Sequence, residues 1–345
     1  MKRLVQGNEA VFAGAVKAGA TYFAGYPISP SSEILLLAAQ QAARSPDFHF
    51  LQAEDELAAI NQVLGASLAG GKAFTATSGP GFTLMQEAIG WGHQAEVPCV
   101  VINVQRVGPG TGMPTMPAQG DILQSQYGSS GDYYPIVFYP NSVAECYRLT
   151  VAAFNAAEES LSPVVLLSDS FVGHLNETVD LEAMEVEVVA RQRPPLGTGN
   201  RFFTGLVHDE EGRIRTADAL FYQSWLGKVR EKRDGVAARY PFYEHRERPG
   251  HDLIIAFGIL SRVIAPLLDD FALFRPIRIF PPLVRELRSI TQEYRRVIVL
   301  EANDGQYAQV VEGIVHRDVI RVSVVGGRFS AERVTTALKQ ALTSV

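Results

Sequence analysis

Cysteine is almost missing from this chain: Cys99 and Cys146 are the only two among 345 residues. That is too few for a disulfide framework, and too few for the thiolates that normally ligate an iron–sulfur cluster. Any such cluster must sit on another chain. Basic excess is missing as well. Lys and Arg number 31 against 37 Asp and Glu, for a net charge of −6 and a pI near 5.7, so nothing recommends nucleic acid or an anionic membrane surface as a partner. No apolar run reaches the ~18 residues of a membrane span. Met1 to Glu9 lacks the apolar core of a signal peptide, and the cytoplasm is the expected location. The 7 histidines, at 49, 93, 174, 208, 245, 251 and 316, show no metal-ligand spacing, and none is assigned to a metal.

What is present is a chain able to build a large core, 47% hydrophobic and 20% charged. Its length suits one large domain and one smaller one. Through the first half, helical and strand-like runs alternate: helical Asn8 to Ala18, a short Tyr22 to Ala24 strand, helical Pro30 to Ala43. Strands follow at Lys72 to Ala76, Cys99 to Val104, Ile136 to Tyr139 and Val164 to Ser168, with helices at Glu56 to Ala69, Phe82 to Gln94 and Val143 to Glu159. Such alternation predicts a parallel sheet covered by helices. From about Asp180 to Gly250 the texture turns Pro/Gly-rich and charged, which reads as a connector with at least one surface helix. Alternation resumes at His251, with strands Leu253 to Phe257, Ile277 to Phe280 and Arg296 to Leu300. Helices are expected from Ser261, near Leu283 to Glu293, from Gln306, and over Ser330 to Leu342. The expected division is an α/β domain over 1–190, a connector over 191–250 and a second α/β domain over 251–345.

Four segments could carry chemistry. In Gly25-Tyr-Pro-Ile-Ser-Pro-Ser-Ser-Glu33 a strand gives way to a helix, with Ser29 as expected N-cap, Pro30 at the first helical position and Glu33 in the first turn. Such an end suits a carboxylate or phosphate, or is simply a well-capped helix. Glu54, Asp55 and Glu56 open the next helix, where acids commonly do no more than complement the helix dipole. Thr77-Ser-Gly-Pro-Gly-Phe82 reads as a tight loop exposing backbone amides; it is neither a P-loop nor a dinucleotide fingerprint. Finally, Arg106 stands where the chain leaves a strand, ahead of a Gly/Pro loop long enough to cover a pocket. It is either a bidentate carboxylate receptor or a surface ion pair.

Read together, these segments resemble the alpha subunit of 2-oxoacid:ferredoxin oxidoreductases, nearest to the 2-oxoglutarate type. The resemblance rests on Gly25-Tyr-Pro-Ile-Ser-Pro-Ser-Ser, Glu54-Asp-Glu-Leu-Ala-Ala, Ala76-Thr-Ser-Gly-Pro-Gly-Phe, Leu84-Met-Gln-Glu-Ala-Ile-Gly and the long Val104 to Asp121 segment. It continues through Leu167-Ser-Asp169, Thr204 to Glu210, Arg275 to Pro281, Glu301 to Gln306 and Gly326-Gly. It implies a thiamine-diphosphate pyrimidine-binding domain, with a parallel sheet between helices, followed by a transketolase C-terminal-like α/β domain.

By the same resemblance Glu56, in frame with Ala58, Ala59 and Gly65-Ala66, is the activating acid in preference to Glu54. It would hydrogen-bond N1′ of the cofactor's aminopyrimidine. Arg106 and Ser29 would contact the substrate carboxylate, although relatives often carry Thr at the latter position. Tyr26, Pro27 and Ile28, with Ser78, Gly79, Pro80, Gly81 and Phe82, would line the cofactor. No Gly-Asp-Gly motif with a downstream Asn occurs. Mg²⁺ and a 4Fe–4S cluster are therefore expected on a beta subunit, and a gamma-type subunit would be a separate chain or missing. The implied reaction is coenzyme A-dependent oxidative decarboxylation of 2-oxoglutarate to succinyl-CoA and CO2, reversible, with electrons passing to ferredoxin. Competing readings are the same chemistry on pyruvate, a branched-chain 2-oxoacid or oxalate, a non-catalytic subunit of this fold, and a non-redox thiamine enzyme.

Overall fold

The computed structural model describes residues 1–343 except 192, 199–202, 249–251 and 328. Residues 199 and 200 of the Gly-rich stretch and both sides of the expected boundary at 250/251, His251 among them, lie outside the described residues. In chain order the first part holds β1 (Arg3–Gln6), α1 (Gly7–Lys17), β2 (Tyr22–Gly25), α2 (Ser32–Ala42), β3 (His49–Gln52), α3 (Glu56–Leu68), β4 (Ala73–Thr77), α4 (Gly79–Leu84) and α5 (Gln86–Gln94). Then come β5 (Cys99–Val107), β6 (Met113–Pro117), α6 (Ile122–Tyr127), β7 (Ile136–Phe138), α7 (Val143–Ser160), β8 (Pro163–Asp169), α8 (Ser170–His174) and β9 (Asn176–Val179). The remainder holds α9 (Ala219–Ala238), β10 (Tyr243–Arg246), β11 (Asp252–Ala256), α10 (Leu260–Val263), β12 (Phe271–Pro276), β13 (Arg278–Phe280), α11 (Val284–Thr291), β14 (Val297–Glu301), α12 (Gln306–Val315), β15 (Ile320–Ser323) and α13 (Ala331–Thr343).

The larger sheet runs β13-β7-β8-β5-β4-β2-β3, with β6 folded back on β5. From β7 to β3 every pairing is parallel. Strands β4, β7 and β8 are buried at every residue, as parallel strands sandwiched between helices must be. On one face, under α1 and α7, Phe74 of β4 meets Phe12, Phe23 and Phe154 with ring centroids 5.0 to 6.4 Å apart. On the other, α3 and α5 cover Val101 and Val165. The second sheet runs β10-β12-β11-β14-β15, parallel except for the edge strand β10.

The sequence assigns Ile277 to Phe280 to the second sheet, and this is corrected. The second sheet takes Phe271–Pro276 instead, and β13 pairs antiparallel with β7 in the first, Arg278 opposite Phe138. Chain thus passes from one sheet to the other across Ile277, whose carbonyl accepts from the Tyr139 amide at 2.8 Å. Buried Arg278 secures the crossing by donating to the carbonyls of Pro281, at 2.9 Å, and of Ala237 near the end of α9.

A second tie between the sheets is Gln119, in the loop after β6 and fully buried. All of its polar groups bond to the second unit. Its side-chain amide donates to Phe257 O at 2.9 Å and accepts from Ala302 N at 2.9 Å, while its backbone donates to Ala302 O at 3.0 Å and accepts from Asn303 Nδ2 at 2.7 Å. Gln119→Ala leaves the Phe257 carbonyl and the Ala302 amide buried and unpaired, and is expected to lower stability by roughly 2–5 kcal/mol. Urea unfolding checks this; an unchanged midpoint would mean that the tie contributes little.

Candidate active site

Parallel strands bring the loops at their carboxyl ends together, and ligands of open α/β folds bind there. At that edge the helix α3 begins with Asp55 as its N-cap, accepting from Ala58 N at 2.7 Å. The helix start separates the three acids. Glu54 and Asp55 face solvent, whereas Glu56 is 5% exposed and turned inward. Its Oε1 has no hydrogen-bond partner. Burial pushes the Glu56 carboxyl pKa up; its own backbone amide partly opposes this, nearby Asp55 adds to it, and the Arg106 guanidinium offsets some of it.

Facing Glu56 is the segment read as a loop, Thr77 to Phe82. Here too the structure corrects the expectation. Ser78 alone separates β4 from α4, so Gly79 to Phe82 form a helix start rather than a loop. Gly79 has φ +38, and a Cβ on Gly81 would overlap the Glu56 carboxylate and the Thr77 hydroxyl. Only a glycine lets the acid lie flat on this helix. The Ser78 and Thr77 hydroxyls are buried without partners, as are Asn103 Oδ1 and Arg106 Nε. Thr77 and Asn103 stand opposite each other on neighbouring strands. The Phe82 ring is fully buried among the apolar residues beneath α3 and α5 rather than facing this polar pocket.

Arg106 leaves β5 7% exposed and donates through Nη1 to the carbonyl of Ser29 at 2.7 Å. This joins two of the predicted segments, but through the Ser29 backbone, not its hydroxyl, which lies on an exposed residue. Ser29 is not the N-cap of α2. The helix starts two residues later, after Ser31, whose hydroxyl donates to Ile28 O at 2.9 Å. Asn8 fixes the turn by donating to Pro30 O at 2.9 Å and to Glu33 Oε2 at 3.0 Å. Tyr26 (39% exposed) and Pro27 lie open on the same edge, with Ile28 half-buried. Leu57, Leu84 and Met113, beside the same pocket in sequence, are also exposed.

Sequence reasoning gave no role to Asn103, Gln105 or Asp121. Asn103 Nδ2 donates to Asp121 Oδ2 at 2.9 Å, and Gln105 Oε1 accepts from Asp121 N at 2.8 Å. Burial raises the Asp121 carboxyl pKa, which the Asn103 bond and Arg106 partly offset. The signal was the polar pair Asn103 and Gln105 interrupting the buried, apolar run of β5 ahead of Arg106.

Residues 13–221 match the family model described as pyruvate flavodoxin/ferredoxin oxidoreductase, thiamine diphosphate-binding, which sets the chain in the thiamine-diphosphate-binding class. A split-gene transketolase shares the fold, with TM-score 0.60 at 12% identity over 98% of both chains. Among curated proteins, the 2-oxoglutarate synthase subunit KorA of Archaeoglobus fulgidus is 41% identical over 341 residues, 96% of each chain. The solved 2-oxoglutarate:ferredoxin oxidoreductase of Magnetococcus marinus, with 2-oxoglutarate, coenzyme A and succinyl-CoA bound, superposes with TM-score 0.91 at 30% identity over 99% of this chain. This chain spans 65% of that one. The chain belongs to the 2-oxoacid:ferredoxin oxidoreductase family, as an alpha subunit.

Gly81→Ala is expected to displace the Glu56 carboxylate, at a stability cost of about 1–3 kcal/mol. Comparing its thermal unfolding with that of Gly65→Ala, where a Cβ meets nothing within 4 Å, checks this: equal effects would mean that the two sites tolerate a methyl alike.

Proposed function

We propose that this chain is the alpha subunit of a 2-oxoglutarate:ferredoxin oxidoreductase, which with coenzyme A converts 2-oxoglutarate reversibly to succinyl-CoA and CO2. The observation that carries the reading is the Glu56 carboxyl, buried, unpartnered at Oε1 and packed on Gly81 at the strand ends. These residues suit the aminopyrimidine of thiamine diphosphate: a flat ring with nitrogen donors and acceptors would meet the unpaired oxygens of Glu56, Thr77 and Ser78. Bound thiamine diphosphate supplies the carbon nucleophile and the electron sink that decarboxylation of a 2-oxoacid needs.

Glu56 would hold the proton at N1′. Its raised pKa suits that task, because a carboxyl that shares a proton must not be a fully hydrated anion. Ser78 to Gly81, with Tyr26, Pro27 and Ile28, would flank the ring, and Phe82 would back them from the apolar core. Arg106 would bind the substrate carboxylate through donors that the Ser29 carbonyl leaves free, with the Ser29 hydroxyl orienting the same end.

A beta subunit would complete the site with Mg²⁺, the diphosphate contacts and a 4Fe–4S cluster, and pass electrons singly to ferredoxin. Tyr26, Leu57, Leu84 and Met113, exposed on segments that adjoin the site in sequence, support a partner there, since exposed apolar side chains of this size gain from being covered. Domains at 1–190 and 251–345, joined by 191–250, remain the proposed division, with β10 of the joining segment supplying the edge of the second sheet, and the cytoplasm the proposed location. Among the described residues no helix is long and apolar enough to cross a membrane.

The test is anaerobic viologen reduction by the co-expressed alpha and beta chains with coenzyme A, thiamine diphosphate and a panel of 2-oxoacids. Activity with 2-oxoglutarate is expected; preference for pyruvate or a branched-chain acid would correct the substrate, and silence with every acid would count against turnover. Glu56→Gln should lose turnover by about 100-fold or more with its melting temperature kept, because Oε1 makes no bond to lose. Arg106→Ala should raise the KM for 2-oxoglutarate, a loss on the order of 2–5 kcal/mol. Near-normal kinetics in either variant would remove that residue from its role.

A further inference from the structure

Unpaired buried atoms gather in a second place. Among the described residues, both ring nitrogens of His93, Nε2 of Gln94 and Nε of Arg233 are buried without hydrogen-bond partners. All three residues line one cavity of 240 Å³. It lies at the amino ends of the strands, opposite Glu56: His93 and Gln94 close α5 just before β5 begins, and the 129–133 segment of its wall leads into β7.

Three of the four missing partners share one chemistry, that of an acceptor. Gln94 Nε2 and Arg233 Nε are donors only, and a neutral imidazole has one donor of its own. Arg233 is 1% exposed. Its Nη2 donates to His93 O at 3.2 Å, and no carboxylate lies within ion-pair distance of it among the described residues. The acid that attracts it, Glu96, is already bonded to Arg193 and Lys232. Burial lowers the Arg233 pKa only to about 10, so the guanidinium stays charged at neutral pH. A buried charge with no counterion in ion-pair contact and with a donor left unpaired is costly unless something supplies the missing partner. The carboxylates of the cavity, Glu87 and Asp132, are on exposed residues at its rim. Trp91 and Trp225 wall it, and its volume is ample for a four-oxygen ion when a water occupies ~30 Å³.

We propose that this cavity is a second ligand site, separate from the catalytic one, which takes a small oxyanion, a phosphate or carboxylate group, between Arg233, Gln94 and His93. The anion would answer the Arg233 charge and accept from Gln94, with His93 donating as the neutral ring. It does not depend on the reading of Glu56.

The test is thermal unfolding of the full chain titrated with sodium phosphate and, separately, sodium acetate, at ionic strength held constant with sodium chloride. A saturable rise in melting temperature is expected with at least one anion, and which one identifies the group. Because Arg106 could also attract an anion, the rise should persist in Arg106→Ala. It should weaken about tenfold in Arg233→Gln, or in Gln94→Leu where Arg233→Gln fails to fold. The ring ¹⁵N signals of His93 should shift over the same concentrations. No saturable rise with either anion, or a rise undiminished in the folded cavity variants, overturns the proposal.

Discussion

Gln119 ties the two sheets together through both its side chain and its backbone. It sits in the loop that returns from β6, and four of its hydrogen bonds reach the carboxyl ends of β11 and β14 in the second unit. Two residues on, Asp121 is held by Asn103 and Gln105 of β5, and Arg106 follows directly. The strand end that presents the guanidinium is therefore braced from the second sheet. The second unit also lends β13 to the first sheet. Neither unit of this chain is a passive neighbour of the other.

Burying polar atoms without partners costs stability, and native chains keep few of them. Here they are concentrated. Glu56, Thr77, Ser78, Asn103 and Arg106 contribute one cluster, and His93, Gln94 and Arg233 another. The first is the cluster proposed to receive the aminopyrimidine, and on that proposal its cost is understandable as preorganisation: donors and acceptors are fixed before the ligand arrives. The second cluster follows the same physical logic with different chemistry. Its atoms are all nitrogens, whereas the first mixes hydroxyls and a carboxylate with one guanidinium.

Much of this was legible in the sequence, for local reasons. Continuous apolar runs such as Val164 to Ser168 can only be buried strands in a chain that alternates with helices. Glu56 is preferred among three consecutive acids by the family resemblance and not by local pattern; the helix start buries it while leaving Glu54 and Asp55 in water. What failed was non-local. Ile277 to Phe280 looks like any second-domain strand, and its partner β7 lies some 140 residues earlier. The cap moved from Ser29 to Ser31 because Arg106, from another strand, and Asn8, from the first helix, hold the intervening turn. Asn103 and Asp121 meet only after β6 has folded back on β5.

The exposed half of the pocket completes the physical picture. Glu56, Ser78 and Gly81 are withdrawn from water, yet Tyr26, Leu57, Leu84 and Met113 stand outside them with no covering in this chain's described residues. A carboxyl tuned by desolvation keeps its tuning only while water stays out. On the proposed function the rim would be closed by something apolar when the site works, and a neighbouring subunit would be the natural source in a family with relatives named as subunits. On the proposed function, division of the site between chains would follow from dielectric needs as much as from the placing of ligands: this chain would supply the acid and the carboxylate receptor, and a partner the surface that dries them.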